Sequence, residues 1–212
     1  MTLRNPPTVT GFKKAVFLDR DGTLNEDPGY LNDPSLLQLF SDVGQALQIL
    51  KKNEYSLIIV TNQSGVGRGL IQKETLVQIH HRLDELLKPW DITIDAYGIC
   101  FHRPEENCQC RKPKPQLLLD SAQKLNIKLS ESFMVGDKLS DIQAGKAAGC
   151  RGTILVRTGS GKLESVRKAS QQADFIADSL LEAAHWIVNL KTEDPEAASD
   201  QIQENDKQKM LP

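Results

Sequence analysis

The sequence predicts an α/β protein built on a doubly wound, mostly parallel sheet with helices on both faces, and three observations predict it. Short apolar runs rich in β-branched residues alternate with amphipathic helical patterns along most of the chain. Strands that alternate with helices favour a parallel sheet covered on both sides. Polar residues stand where the apolar runs stop (Asp19, Thr61 and Asp137), and ligands in such sheets bind beyond the carboxyl ends of the strands.

Ala15-Val16-Phe17-Leu18 reads as the first strand and stops at Asp19. A helix follows from Val43, where Val43, Ala46, Leu47 and Leu50 recur at helical spacing behind the capping candidates Ser41 and Asp42. Ser56-Leu57-Ile58-Ile59-Val60 is the second strand and ends at Thr61-Asn62. A longer helix is expected from Glu74 to Lys88, with Leu76, Ile79, Leu83, Leu86 and Leu87 on one side and His80 and His81 read as surface residues. Ile94 to Cys100 gives a third strand, and Pro115 to Leu125 a helix that opens on proline. Phe133-Met134-Val135 is a fourth strand, Ser140 to Ala148 a helix, Thr153 to Val156 a fifth strand, and Ser179 to Asn189 a last helix.

At 212 residues, with 39% hydrophobic and 25% charged, the chain fits one globular domain, expected over 1–190. The segment 191–212 carries six acids, three bases and no apolar period, and is expected to be a disordered acidic tail. Lys+Arg 26 against Asp+Glu 28 gives a formal charge of -2, which argues against nucleic acid as a partner. No apolar run reaches the roughly 20 residues of a membrane helix, and the first residues lack the apolar stretch of a signal peptide. The expectation is a cytoplasmic protein, no membrane partner, and a monomer.

Phe17-Leu18-Asp19-Arg20-Asp21-Gly22-Thr23-Leu24-Asn25 carries the strongest chemical signal. In an extended segment residues i and i+2 share a side, so Asp19 and Asp21 can face one site while Gly22 turns the chain away. Two carboxylates so close repel unless a cation or a proton intervenes, and Mg²⁺ with its oxygen ligands suits them; Asp-Gly is equally the signature of a surface turn. Asp137 in Val135-Gly136-Asp137-Lys138 offers a third carboxylate at a strand end. Asp141 falls in the first turn of the following helix, where an acid is favoured with or without a functional role.

These residues, taken in order, resemble the phosphatases of the haloacid dehalogenase superfamily: Asp-x-Asp-Gly-Thr after strand one, Thr61 after strand two, Lys112 mid-chain, and Gly136-Asp137 with Asp141 near the end. The resemblance runs from Ala15 to Leu190. It implies that Asp19 attacks phosphorus to form an aspartyl-phosphate and that Asp21 is the general acid and base, which calls for a raised pKa. It further implies Mg²⁺ held by Asp19, Asp137 and the backbone carbonyl of Asp21, and Thr61 and Lys112 on the phosphoryl oxygens.

Cys100, His102, Cys108 and Cys110 crowd into one segment, 100–110. Three thiolates and an imidazole complete a tetrahedral Zn²⁺ set with no open position, which makes a structural metal the expectation; disulfides or unrelated loop cysteines are the alternatives. A zinc loop leading into Arg111-Lys112-Pro113 is similar to that of the D-glycero-D-manno-heptose 1,7-bisphosphate 7-phosphatases and the related histidinol-phosphate phosphatases. By that resemblance Asp27, Pro28, Gly29, Tyr30, Asn62, Gln63, Ser64, Arg111 and Lys138 contact substrate. No stretch between the motifs is long enough for a large cap domain, so these loops would set specificity. Five residues separate His102 from Cys108, fewer than in the longest versions of that family, and the anomer stays open.

Arg111, Lys112 and Lys138 are more cations than one phosphate requires. They suit a sugar bisphosphate and would repel the amine of histidinol phosphate. The expected partner is therefore a small-molecule sugar bisphosphate, and the expected reaction is removal of the 7-phosphate in heptose biosynthesis. Another sugar-phosphate or histidinol-phosphate phosphatase, and a non-catalytic binder of phosphorylated sugars, are the rivals. Gly65-Val66-Gly67-Arg68-Gly69 and Gly159-Ser160-Gly161-Lys162-Leu163 miss the dinucleotide and P-loop patterns and read as loops.

Overall fold

A computed structural model of the chain describes residues 11–159 and 170–190. The expected tail and residues 160–163 of the second glycine-rich stretch lie outside the described residues. Among the described residues, six strands form one sheet in the order β3-β2-β1-β4-β5-β6. They are β1 (Lys14–Leu18), β2 (Tyr55–Asn62), β3 (Ala96–Cys100), β4 (Phe133–Gly136), β5 (Gly152–Val156) and β6 (Phe175–Ala177). Every neighbouring pair is parallel.

The α-helices described in full are α1 (Val43–Lys52), α2 (Ser64–Gly67), α3 (Lys73–Leu87), α4 (Gln116–Leu125), α5 (Leu139–Ala148) and α6 (Leu180–Asn189). Strand side chains alternate between two cores, as a pleated backbone dictates. Val16, Leu18, Leu57, Ile59 and Val135 join Leu47 and Leu50 of α1, Ile79 and Leu83 of α3, and Ala183 and Ile187 of α6. Ala15, Phe17, Ile58, Val60 and Met134 face the other way, onto Leu117, Leu118 and Ala122 of α4 and Ala144 and Ala148 of α5. Each Leu or Ile so buried contributes about 1.5–3 kcal/mol, which fixes the strand ends firmly.

The chain winds outward from β1 through β2 to β3, then returns to β4 on the other side of β1. That reversal opens a crevice beyond the carboxyl ends of β1 and β4. Asp19 and Asp137, each one residue past its strand, stand there.

Some elements differ from expectation. β3 begins at Ala96 rather than Ile94, and the edge strand β6 was not foreseen because it has three residues and is only partly covered. The four-residue helix α2 falls where a glycine-rich loop was expected; its residues carry too few apolar positions to show a period. Asp42 starts α1 without capping it. Its carboxylate instead accepts the backbone N–H of Leu181, so it ties α6 to the start of α1.

Candidate active site

Beyond β1 the chain runs Asp19-Arg20-Asp21 and then folds back, with Gly22 at φ 87 and the Leu24 N–H donating to the Arg20 carbonyl at 2.8 Å. Asp19 is buried, and Lys112 Nζ lies 2.9 Å from its Oδ1. The same ammonium pairs with Asp141 Oδ1 at 2.6 Å and donates to the Val60 carbonyl at 2.7 Å, so two carboxylates and one carbonyl surround it. Lys112 itself is clasped by Asn62, whose side-chain amide donates to the Lys112 carbonyl and accepts the Lys112 N–H, both at 3.1 Å.

Asp21 is held differently. Arg20 Nε donates to its Oδ1 at 2.9 Å and Nη2 to its Oδ2 at 2.7 Å, a two-pronged grip on one carboxylate. Asn25 adds a bond to Oδ1 at 2.9 Å, and Gln63 adds one to Oδ2 at 2.8 Å. Gln63 Nε2 also reaches Thr61 Oγ1 at 3.0 Å, which links the ends of β1 and β2.

The electrostatics reverse the expectation for the two acids. Burial, reinforced by Asp141 and Asp137 and opposed by Lys112, pushes Asp19 up to about 7. Burial also works to raise Asp21, but the Arg20 charge and the bonds from Arg20, Asn25 and Gln63 carry it below the ordinary carboxylate range. The raised pKa expected of Asp21 is therefore not found in the free chain: four N–H donors favour its ionised form. Lys112 is pulled down by burial, yet Asp141 and Asp19 raise it overall.

Among the described residues, two clusters have the donors of metal sites. Carboxylate oxygens of Asp19, Asp137 and Asp141, all buried, lie within 4.8 Å of one another and offer the hard oxygens that suit Mg²⁺. The Asp137 carboxylate is cradled between two glycines. A Cβ on Gly22 would stand 2.4 Å from Asp137 Oδ2, and so would a Cβ on Gly159. Thr158 Oγ1 donates to the Gly22 carbonyl at 2.6 Å, so the segment after β5 straps the turn from outside.

The second cluster brings together Cys100, His102, Cys108 and Cys110. Sulfur separations of 3.6 Å (Cys100–Cys108 and Cys108–Cys110) and sulfur–nitrogen separations of 3.7 and 3.2 Å (Cys100–His102 and Cys110–His102) surround one point. A tetrahedral site with Zn–S bonds of about 2.3 Å has edges of about 3.8 Å, so these residues fit the ion. All the cysteines are free thiols, and 3.6 Å is too long for the disulfide alternative.

A cleft of about 440 Å³ lies over Asp19 and Asp21 and is lined by Asp27, Gly29, Tyr30, Thr61, Asn62, Gln63, Ser64, Gly65, Arg111, Lys112, Lys138, Ser140 and Asp141. Pro28, expected with its neighbours to touch substrate, is absent from that lining. Lys138 Nζ sits 3.0 Å from Asp27 Oδ2 and 3.9 Å from Asp137 Oδ1, bridging the rim to the metal-type cluster. His81 is exposed as expected. His80 is not: it is buried on the sheet side of α3, with Nε2 3.3 Å from Arg20 Nη1. Arg20 was given no role from sequence, although a cation between two site carboxylates must lie on the opposite side of an extended chain and so needs partners beneath the site.

Comparisons with known proteins agree with this geometry. Residues 109–183 match the HAD-hyrolase-like family model. The D-glycero-beta-D-manno-heptose-1,7-bisphosphate 7-phosphatase of Pasteurella multocida is 40% identical over 85% of this chain and 100% of its own length. That of Escherichia coli is 37% identical over 82% and 93%. A crystal structure of D,D-heptose 1,7-bisphosphate phosphatase from B. bronchiseptica, complexed with magnesium and phosphate, superposes with a TM-score of 0.75 at 32% identity, covering 84% of this chain and 99% of that one. No helix among the described residues is long and apolar enough to cross a membrane. The sheet, the Asp19–Lys112–Asp141 cluster and these likenesses together assign the chain to the haloacid dehalogenase-like hydrolases, in the family of the D-glycero-β-D-manno-heptose-1,7-bisphosphate 7-phosphatases.

Proposed function

We propose that this chain removes the 7-phosphate of D-glycero-β-D-manno-heptose 1,7-bisphosphate through an aspartyl-phosphate on Asp19. The observation that carries the reading is the buried Lys112 ammonium held between Asp19 and Asp141 at the floor of the cleft. A solvated loop lysine has no such partners. The β anomer comes from the relatives' names.

Asp19 attacks phosphorus, the bond from phosphorus to the C7 oxygen breaks, and Asp21 delivers a proton to that oxygen. The Asp21 carboxylate then takes a proton from the water that attacks the phosphorus of the acyl phosphate, which frees inorganic phosphate and restores Asp19. Asp21 is ionised in the free chain; the negative potential of the arriving anionic ester raises its proton affinity, so that it takes from solvent the proton it then gives to the leaving oxygen. Lys112 and the Thr61 hydroxyl hold phosphoryl oxygens as charge moves across them. Asp19, Asp137 and the Asp21 backbone carbonyl are the proposed ligands of Mg²⁺, which when bound offsets the repulsion between an anionic nucleophile and an anionic phosphate.

Arg111 and Lys138 line the cleft in addition to Lys112, and Asp27, Tyr30 and Ser64 stand on its rim. We assign the surplus cations to the second phosphate. Arg111 Nη1 donates to the His102 carbonyl at 3.3 Å, so the Cys100–Cys110 loop aims it. Zn²⁺ in that loop is structural in this reading, and the free thiols suit a reducing, cytoplasmic setting. Rapid quenching of a turnover mixture, followed by mass analysis of the peptide containing Asp19, tests the intermediate. A phosphoryl group on Asp19 is expected, and turnover with no such adduct would overturn the mechanism.

A further inference from the structure

Beneath the cleft, on the side of the sheet that faces α3, lies a buried polar chain that the reaction above does not use. Arg20 is the largest fully buried side chain among the described residues. Two of its nitrogens grip the Asp21 carboxylate. Its third, Nη1, points at His80 Nε2, 3.3 Å away. A guanidinium cannot accept a hydrogen bond, so Nε2 must be the acceptor and the ring must carry its proton on Nδ1. Burial and the Arg20 charge favour that neutral ring, holding His80 down to about 4. Tyr97 of β3 stacks on the imidazole with centroids 4.5 Å apart, and its hydroxyl donates to Asp84, one turn along α3, at 2.7 Å.

Core residues could fill this space without desolvating a cation. Apolar replacements of buried ion pairs are commonly neutral or stabilising, so packing alone gives no reason for the chain. Its geometry does. The guanidinium and carboxylate share a plane through two parallel bonds, so whatever fixes the plane of Arg20 fixes the plane of Asp21. His80, stacked on the Tyr97 ring, is the side chain that meets the third nitrogen.

We propose that His80 is a positioning residue for proton transfer: through Arg20 it sets the orientation in which Asp21 presents its oxygen to the leaving group. The inference rests on the phosphatase reading and on Asp21 as acid and base. The structure that holds Asp21 thus extends from the cleft to Asp84 on the flank of α3.

The experiment compares kcat/KM, which reads the steps through phosphoryl transfer to Asp19, for two substrates. D-glycero-β-D-manno-heptose 1,7-bisphosphate has an alkoxide leaving group that needs a proton; 4-nitrophenyl phosphate has a stable leaving anion that does not. For His80→Phe, which keeps the stacking and loses the acceptor, kcat/KM should fall about 10–100-fold on the heptose substrate and no more than about threefold on the aryl one. His80→Gln, whose side-chain oxygen can accept from Arg20, should recover most of the loss. Equal falls on both substrates, or no fall, would overturn the positioning role. Should His80→Phe not fold, Arg20→Lys carries the same expectation and the same refutation, because it keeps a buried cation and loses the fork. A parent protein that releases no phosphate from either substrate would instead overturn the phosphatase reading.

Discussion

Lys112 Nζ lies 2.6 Å from Asp141 Oδ1, while Oδ2 of the same carboxyl accepts the Lys138 N–H at 3.0 Å. One side chain thus closes the first turn of α5 and fixes the ammonium that meets Asp19. The helix-start reading that the sequence allowed for Asp141 is met by one oxygen, while the other lies against Lys112 at the candidate site.

Replacing Asp141 separates those roles. Asp141→Asn keeps an oxygen for the Lys138 N–H but removes the charge from Lys112. We expect phosphate release to fall at least about tenfold and stability to drop by about 1–3 kcal/mol, the cost of weakening a buried ion pair. Urea unfolding alongside steady-state kinetics checks both. Unchanged kinetics would mean that Lys112 is held well enough by Asp19 and the Val60 carbonyl alone.

Gly159 tests the Asp137 cradle. A methyl group there would stand 2.4 Å from Asp137 Oδ2 and 2.5 Å from the Gly22 Cα, so the carboxylate must move. Calorimetric titration with Mg²⁺ should show affinity weakened about 10–100-fold in Gly159→Ala, the range seen when support around a metal site is lost. Affinity equal to that of the parent would show that Asp137 can shift without consequence for the ion.

The thiol cluster makes its own demand. One Zn²⁺ per chain is expected by elemental analysis. Cys110→Ala should lose it and lower the melting temperature, with kcat/KM on the bisphosphate falling through Arg111 while the Asp19 adduct still forms. A metal-free protein of unchanged stability would remove the structural ion from the account.

His80 predicts a pH dependence of stability. Its folded-state pKa, about 4, lies below the unfolded value of 6.5, so between those limits the unfolded chain binds the extra proton. Stability contributed by the neutral ring is therefore present above pH 6.5 and is lost as pH falls toward 4, by about 3 kcal/mol at most. Urea unfolding from pH 7 to 4 should show a shallower decline in His80→Phe than in the parent. Parallel curves would mean that the ring takes up its proton equally in the folded and unfolded states.

How much of this could be read from the sequence follows from what each signal depends on. Asp19, Thr61 and Asp137 were legible because a parallel sheet puts strand ends at its ligand site, and strand ends are visible as the last residues of apolar runs. Thiol spacing revealed the four-residue cluster, since Cys and His at short separation have few other uses. The partners of Asp21 were not legible: Arg20 reaches His80 across 60 positions of sequence, and a histidine mid-helix looks the same whether its face meets solvent or a buried guanidinium. For the same reason the charge balance at Asp21 was expected in the wrong direction. β6 and α2 were missed because three or four residues are too few to show a period.

The most direct test of the central claim is Mg²⁺-dependent phosphate release from the α and β anomers of D-glycero-D-manno-heptose 1,7-bisphosphate, with fructose 1,6-bisphosphate and histidinol phosphate beside them and Asp19→Asn as the control. The account predicts turnover that prefers the β anomer, releases only the 7-phosphate and vanishes in Asp19→Asn. Release that survives Asp19→Asn, or a preference for histidinol phosphate, would contradict it.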